Sequence, residues 1–187
     1  MELIWILIGL LVIVGLYILA TYNGLVTAKV RVDQSFKDID VQLKKRYDLL
    51  PDLVETAKKA TNLDEKIFTE VTRLRSQAMQ AQESGAAVAD RAQVENQLSS
   101  VMRDIKVSVE AYPDIKSHSE LGSLMESVTS IEEKIAYARQ FYNSNVADYN
   151  TKTSLFPGVL FASSLGFKPA EFFAAPEAEK ADVKVQF

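Results

Sequence analysis

Residues able to hold protons, metals or a reacting group are few in this sequence, and their spacing is unpromising. There is one histidine, His118, and no cysteine. Without cysteine the chain has no disulfide, thiolate metal site, cysteine nucleophile or lipidated-cysteine anchor. His118 sits beside an expected helix start with no second ligand near it, so it reads as a solvated side chain rather than a base or metal ligand. Glu132 and Glu133 are neighbouring carboxylates, but successive helix positions diverge by about 100°, so they do not face one reacting group. Phosphate-loop, dinucleotide, zincin and serine-hydrolase signatures are absent. The expectation is a non-enzyme with no catalytic residue, no cofactor and no metal.

A second polar set has better spacing. Glu132, Arg139, Asn143 and Asn150 are separated by 7, 4 and 7 residues, which puts them on one helix face beside an apolar seam. Asp40, Arg46 and Asp48 lie beside the seam of an earlier helix. Opposed charges between helices fix register, so these seven residues are expected to form a structural polar ladder. The competing reading is a polar pocket that binds something. Tyr142-Asn143 and Tyr149-Asn150 recur one heptad apart, as packing residues whose phenol hydroxyls find hydrogen-bond partners. Lys44-Lys45-Arg46 reads as a solvated face, about 30 Å beyond the membrane edge if its helix is continuous.

These residues must be positioned by elements, and the first element is unambiguous. Leu3 to Tyr22 carries no charge. Some 20 apolar residues rise about 30 Å as a helix, the thickness of a bilayer core. Trp5 and Tyr22 stand near its ends, where amphipathic rings settle. A cleaved signal would need a basic start, a shorter apolar core and a small-residue cleavage site, none of which is present. No Lys or Arg precedes the span, whereas Lys29, Arg31, Lys37, Lys44, Lys45 and Arg46 follow it. The positive-inside rule therefore places a short N-terminus outside and the rest of the chain in the cytoplasm. Of 187 residues, 48% are hydrophobic and 25% charged, with net charge −4. That is globular composition and excludes the basic face of a nucleic-acid binder.

Beyond the span, apolar gaps of three and four define four helices. The first carries Phe36, Ile39, Leu43, Tyr47, Leu50, Val54 and Ala57. Pro51 should kink it without breaking it, freeing the carbonyl of Tyr47. The second opens at Asn62-x-x-Glu65, carries Ile67, Val71, Leu74, Ala78 and Ala81, and stops at Glu83-Ser84-Gly85. The third opens at Asp90-x-x-Gln93, carries Val94, Leu98, Val101, Ile105 and Val109, and stops at Tyr112-Pro113. The fourth opens at Ser117-x-x-Glu120, carries Leu121, Leu124, Val128, Ile131, Ile135, Ala138 and Tyr142, and runs to about Ser154. The fold class expected is all-α, a transmembrane helix followed by an up-down-up-down four-helix bundle with long first and fourth helices. The division is an anchor over 1–23, a bundle over 24–156 and an aromatic-rich strap and tail over 157–187. The end, Asp182 to Phe187, alternates as an edge strand would or is simply disordered; Val185-Gln186-Phe187 has the apolar-x-apolar-carboxylate form that β-addition captures, set against the favoured reading of a frayed or docked tail.

The residues quoted above also carry a resemblance. Tyr22-Asn23-Gly24-Leu25-Val26 leads into Ile39-Asp40-Val41-Gln42-Leu43-Lys44-Lys45-Arg46-Tyr47-Asp48-Leu49-Leu50-Pro51-Asp52-Leu53-Val54-Glu55-Thr56. Ala111-Tyr112-Pro113 comes later, then Glu132-x-x-Ile135-Ala136-x-Ala138-Arg139-x-Phe141-Tyr142-Asn143-x-x-Val146-x-x-Tyr149-Asn150 and Phe156-Pro157 to Gly166-Phe167. This pattern resembles the LemA family of bacterial membrane proteins over nearly the whole chain. Asp52 departs from the asparagine usual after the proline, and the second helix matches weakly. The resemblance implies a protein of the bacterial cytoplasmic (inner) membrane, with a four-helix bundle and a short N-terminus outside. It implies no particular activity.

The function expected is a single-pass, membrane-anchored helical scaffold or adaptor; the alternative is a self-assembling protein that organises or remodels membrane. Its partners would be the bilayer and either another protein or further copies of itself, with no nucleic acid and no small-molecule substrate. One register follows from the ladder. If Asn150 lies level with about Lys29, residue numbers paired across the antiparallel first and fourth helices total about 179. Asp40 then faces Arg139, and Arg46 faces Glu132.

Overall fold

A computed structural model describes residues 1–60, 64–111 and 119–174. Its helices are α1 (Glu2–Ala60), α2 (Glu65–Glu83), α3 (Val88–Ala111), α4 (Ser119–Ser154) and the short α5 (Gly158–Phe161). Among the described residues there is no strand. Asn62, Tyr112-Pro113, Ser117, His118 and the alternating end from Asp182 to Phe187 lie outside them.

The apolar span and the first bundle helix are one element of 59 residues. From Leu3 to Leu19 its side chains are uncovered, and from Leu25 onward one stripe is buried. α1 passes unbroken through Pro51. The carbonyl that this proline leaves without a helical donor is that of Tyr47, and it accepts a hydrogen bond from Arg75 Nε of α2 at 2.7 Å. A break in the helix ladder has thus become an interhelical bond.

Residue pairings give the directions. Tyr47 meets Arg75 and Lys58 lies over the Phe68 ring, so α2 runs antiparallel to α1. Asp40 meets Arg91 and Arg46 meets Ser99, so α3 runs parallel to α1. Phe36 stacks on Tyr142 and Arg46 meets Glu132, so α4 runs antiparallel again. The protein is an up-down-up-down bundle. α1 packs most closely on α4 and α2 on α3, while α3 shares the apolar core and reaches α1 and α4 with long polar side chains as well.

Several boundaries and faces differ from the sequence expectation. Helix α2 is capped by Asp64, whose carboxylate accepts from the Lys66 amide at 2.9 Å. Helix α3 starts at Val88, so Asp90 lies inside its first turn. The end of α2 is a Schellman motif, with Ala86 N bonded to Ala81 O and Gly85 N to Gln82 O. Gly85 takes φ +65°, which a side chain would disfavour. On α1 the buried residue after Leu50 is Leu53, with Val54 half-buried. On α3 the buried stripe is Ala92, Glu95, Leu98, Met102, Ile105 and Val109, and Val94 and Val101 stand at its edge. Glu95, a charge on the buried stripe, rotates the core face away from the one apolar spacing marks. On α4, Leu121, Val128, Ile131, Ile135, Ala138 and Tyr142 are buried as expected, and the stripe extends through Val146 and Tyr149.

Candidate functional site

The polar residues gather in two places. The first is the centre of the bundle, around Arg46. Its side chain is wholly buried, although Lys45 before it is exposed, and Tyr47 after it is core. One guanidinium nitrogen donates to Glu132 Oε1 at 2.7 Å and to Ser99 Oγ at 2.8 Å. The other donates to Glu95, which also accepts from the Tyr47 hydroxyl. Ser99 closes the ring by donating to Glu132 at 3.1 Å. Burial opposes the charge on Arg46, but Glu95 and then Glu132 outweigh it and raise its pKa above the ordinary value. Burial, reinforced by Glu95, also raises the pKa of the Tyr47 phenol, which stays protonated.

Next to this cluster, Asp40 pairs with Arg91 of α3 and, more loosely, with Lys37 at 3.5 Å. The Arg91 guanidinium lies 4.7 Å from the centre of the Phe36 ring, within cation–π range. The register expected from the ladder therefore needs one correction. Arg46 does meet Glu132, but Asp40 faces α3 and Arg91, not Arg139. Helix rise sets the level of a residue and leaves open which neighbour it turns toward. Asp48 is not part of any interhelical row. It is exposed and pairs with Lys44 one turn away at 3.0 Å. Of the basic run, Lys44 and Lys45 are solvated as expected, whereas Arg46 is core.

The second place is the flank of α4, where residues 167–174 return as an extended strap. Asn143 brackets Phe173, donating to its carbonyl at 3.0 Å and accepting from its amide at 2.9 Å. Asn150 does the same to Ala170, at 2.9 and 2.8 Å. The Tyr142 hydroxyl donates to Glu171 O and the Tyr149 hydroxyl to Lys168 O, both at 2.8 Å. The spacing has a simple cause. Seven helical residues rise about 10.5 Å, and three extended residues cover about 10 Å. A Tyr-Asn pair repeated after one heptad therefore meets equivalent strap atoms three residues apart, with the strap running antiparallel to α4. Pro169 suits this path, since it favours extended backbone and its missing amide is not needed there. Burial, with Glu171 and Asp33 adding to it, pushes the Tyr142 phenol up to about 12.

Arg139 joins the two places. It donates to Asn96 Oδ1 at 3.2 Å, and its guanidinium lies 4.7 Å from the Phe173 ring centre. Asn96 in turn donates to Ala174 O at 3.2 Å. Glu95, Arg91, Asn96 and Ser99 were not singled out from the sequence. Their one signal was a run of polar residues at gaps of four, one and three along α3, which looks like a solvated face until Arg46 demands a counter-charge. Beside Glu132, a cavity of about 210 Å³ opens between α3 and α4, lined by Ser99, Met102, Met125 and Ile135 among others. Among the described residues no group of three His, Asp or Glu could hold a metal.

Comparison with known proteins adds descent to geometry. Residues 35–187 match the LemA family. Magnetosome proteins MamQ 1 and MamQ 2 of Paramagnetospirillum magneticum are each 25% identical over 178 residues, covering 83% of this chain and 65% of the relative. MamQ of Magnetospirillum gryphiswaldense is 22% identical over 178 residues, with the same coverage. The chain thus spans about 65% of the length of these curated relatives.

Proposed function

This chain belongs to the LemA family, a membrane-associated group, and from that premise we propose that it is a membrane-anchored helical scaffold or adaptor that works by position and not by catalysis. The observation that carries this reading is α1. A single helix of 59 residues serves both as candidate membrane span and as bundle backbone. No flexible linker separates the two, so the bundle stands at a fixed angle to the bilayer and can hold a partner at a set height. The polar ladder's role in this reading is to lock register, through Arg46, Glu95 and Glu132 in the centre and through Asn143 and Asn150 along the strap. The divisions proposed remain 1–23 for the anchor, 24–156 for the bundle and 157–187 for the strap and tail.

The proposed setting is the bacterial inner membrane, with the N-terminus outside and the bundle in the cytoplasm. A reporter joined after Phe187 should then be active only if it is one that works in the cytoplasm; alkaline phosphatase activity from that fusion would reverse the topology. Tyr137 and Phe141, one turn apart on α4 and both half or more exposed, favour a second reading, self-assembly. Native mass measurement in gentle detergent separates the two. A monomer or a defined hetero-complex fits the scaffold, and a large homo-oligomer fits the alternative.

A further inference from the structure

The segment between α4 and the strap is the least covered part of the bundle. Leu155, Phe156, Val159 and Leu160 are 61%, 71%, 52% and 62% exposed, and Leu165 adds to the same end. No charged residue occurs between Lys152 and Lys168. A soluble protein would not ordinarily gather such side chains in water.

Their place in the fold explains them. Phe36 on Tyr142 and Arg46 on Glu132 set the α1–α4 register. Carried down the helices, that register brings Ser154 level with about Gly24, where the apolar span ends. α5 follows below that level. It packs on α1, and the Phe167 ring meets the Tyr22 ring edge-on at 5.8 Å. Tyr22 is the aromatic residue at the border of the span. The exposed leucines and phenylalanine therefore continue the uncovered surface of the anchor.

The backbone of this foot is prepared for such a place. Val159 N bonds Leu155 O at 3.0 Å, Ala162 N bonds Gly158 O at 2.7 Å and Leu165 N bonds Phe161 O at 2.9 Å. Phe167 N closes the turn on Ala162 O at 2.8 Å, with Gly166 at φ +82°. The Ser164 hydroxyl turns back to Phe161 O at 2.9 Å. Amides paired internally lose little when water is withdrawn. Gly158 is needed for the fold-back, because a side chain there would strike the Lys152 carbonyl. Lys152 and Lys168 flank the foot with long stems that can lie along apolar surface while the ammonium groups meet lipid phosphates.

We infer that residues 155–165 form a second membrane contact, a foot that sits in the headgroup and upper acyl region of the bilayer crossed by α1. This rests on the anchor reading above. Two contacts at one border fix the bundle's rotation about the anchor as well as its height.

The test uses the full chain, which lacks cysteine and so accepts a single label. Leu160→Cys, Ile13→Cys and Glu133→Cys are each labelled with bimane and reconstituted in phosphatidylcholine–phosphatidylglycerol vesicles containing brominated phosphatidylcholine. Both Ile13 and Leu160 labels should lose most of their emission to the brominated lipid, the Leu160 label most strongly with bromine placed shallow, while the Glu133 label keeps its emission. If Ile13 is quenched and Leu160 is not, the foot is overturned and the anchor survives; an unquenched Leu160 label that is also shielded from aqueous iodide means protein covers it instead. If Ile13 itself is unquenched, the anchor falls and the foot with it. Leu160→Asp serves as the second variant, with the label moved to Val159→Cys. Helix content and melting in detergent should be unchanged while lipid quenching is lost, and persistence of quenching would count against the foot.

Discussion

Helix α4 carries one polar row, and its two halves behave differently. At Glu132 the row turns towards the bundle and meets the wholly buried guanidinium of Arg46 and the Ser99 hydroxyl. At Asn143 and Asn150 it lies at the rim and meets backbone amides and carbonyls of the strap. The first arrangement binds charges that would be costly to leave alone. The second uses neutral amides that add the equivalent of a few β-ladder bonds to an extended segment. In the proposed reading, charge at the centre sets how the helices align, and the amides at the edge set where the strap docks along α4.

Changing Arg46 should show the larger effect. Arg46→Met strands Glu95 among apolar neighbours and should cost about 3–5 kcal/mol in denaturant unfolding of the full chain in detergent. Replacing Arg46, Glu95 and Glu132 together by apolar residues should restore most of that loss, because no buried charge is left unpaired. If the single change were as mild as a surface substitution, the centre would not be what aligns the bundle.

On the other half, Asn143→Ala leaves the amide and carbonyl of Phe173 without partners and should cost about 1–3 kcal/mol. Hydrogen exchange should locate the damage, with the Ala170 and Phe173 amides losing protection while those of the α1 core keep theirs. Loss of protection throughout the bundle would mean that strap and core unfold as one unit. A smaller effect distinguishes the two candidates for Asp40. A double-mutant cycle of Asp40 with Arg91 should give a coupling of about 0.5–3 kcal/mol, against a value near zero for Asp40 with Arg139. The smallest change belongs to Asp48 and Lys44, both more than half exposed. Lys44→Ala should move stability by no more than about 0.5 kcal/mol, and a larger shift would put this pair into the interhelical row after all.

Much of the architecture could be read from the chain. An uncharged run as long as a bilayer is thick gives a helix able to cross one, and gaps of three and four require helices with one buried stripe. Even the vertical register of α1 against α4 followed from rise per residue and placed Arg46 beside Glu132. Leu43, Ile131 and Ile135 lie in the core where their period puts them, and Pro51 alone marks the carbonyl of Tyr47 as one that needs a donor from outside its helix. The partners themselves were harder. Glu95 was hidden because a charge on an apolar face reads as an error in the pattern, until an opposite charge is found facing it.

The sequence alone thus determined the long apolar helix, the helix periods, the absence of cysteine chemistry and the level at which residues on α1 and α4 meet. These depend on transfer energy and helix geometry, which are local. Only the tertiary structure decided that Asp40 turns to Arg91, that Arg75 answers the Tyr47 carbonyl, and that Asn143 and Asn150 grip the strap. Backbone amides and carbonyls are the same at every residue, so a side chain that binds them leaves no mark on the segment it will hold. Which segment comes within reach is settled when the helices pack.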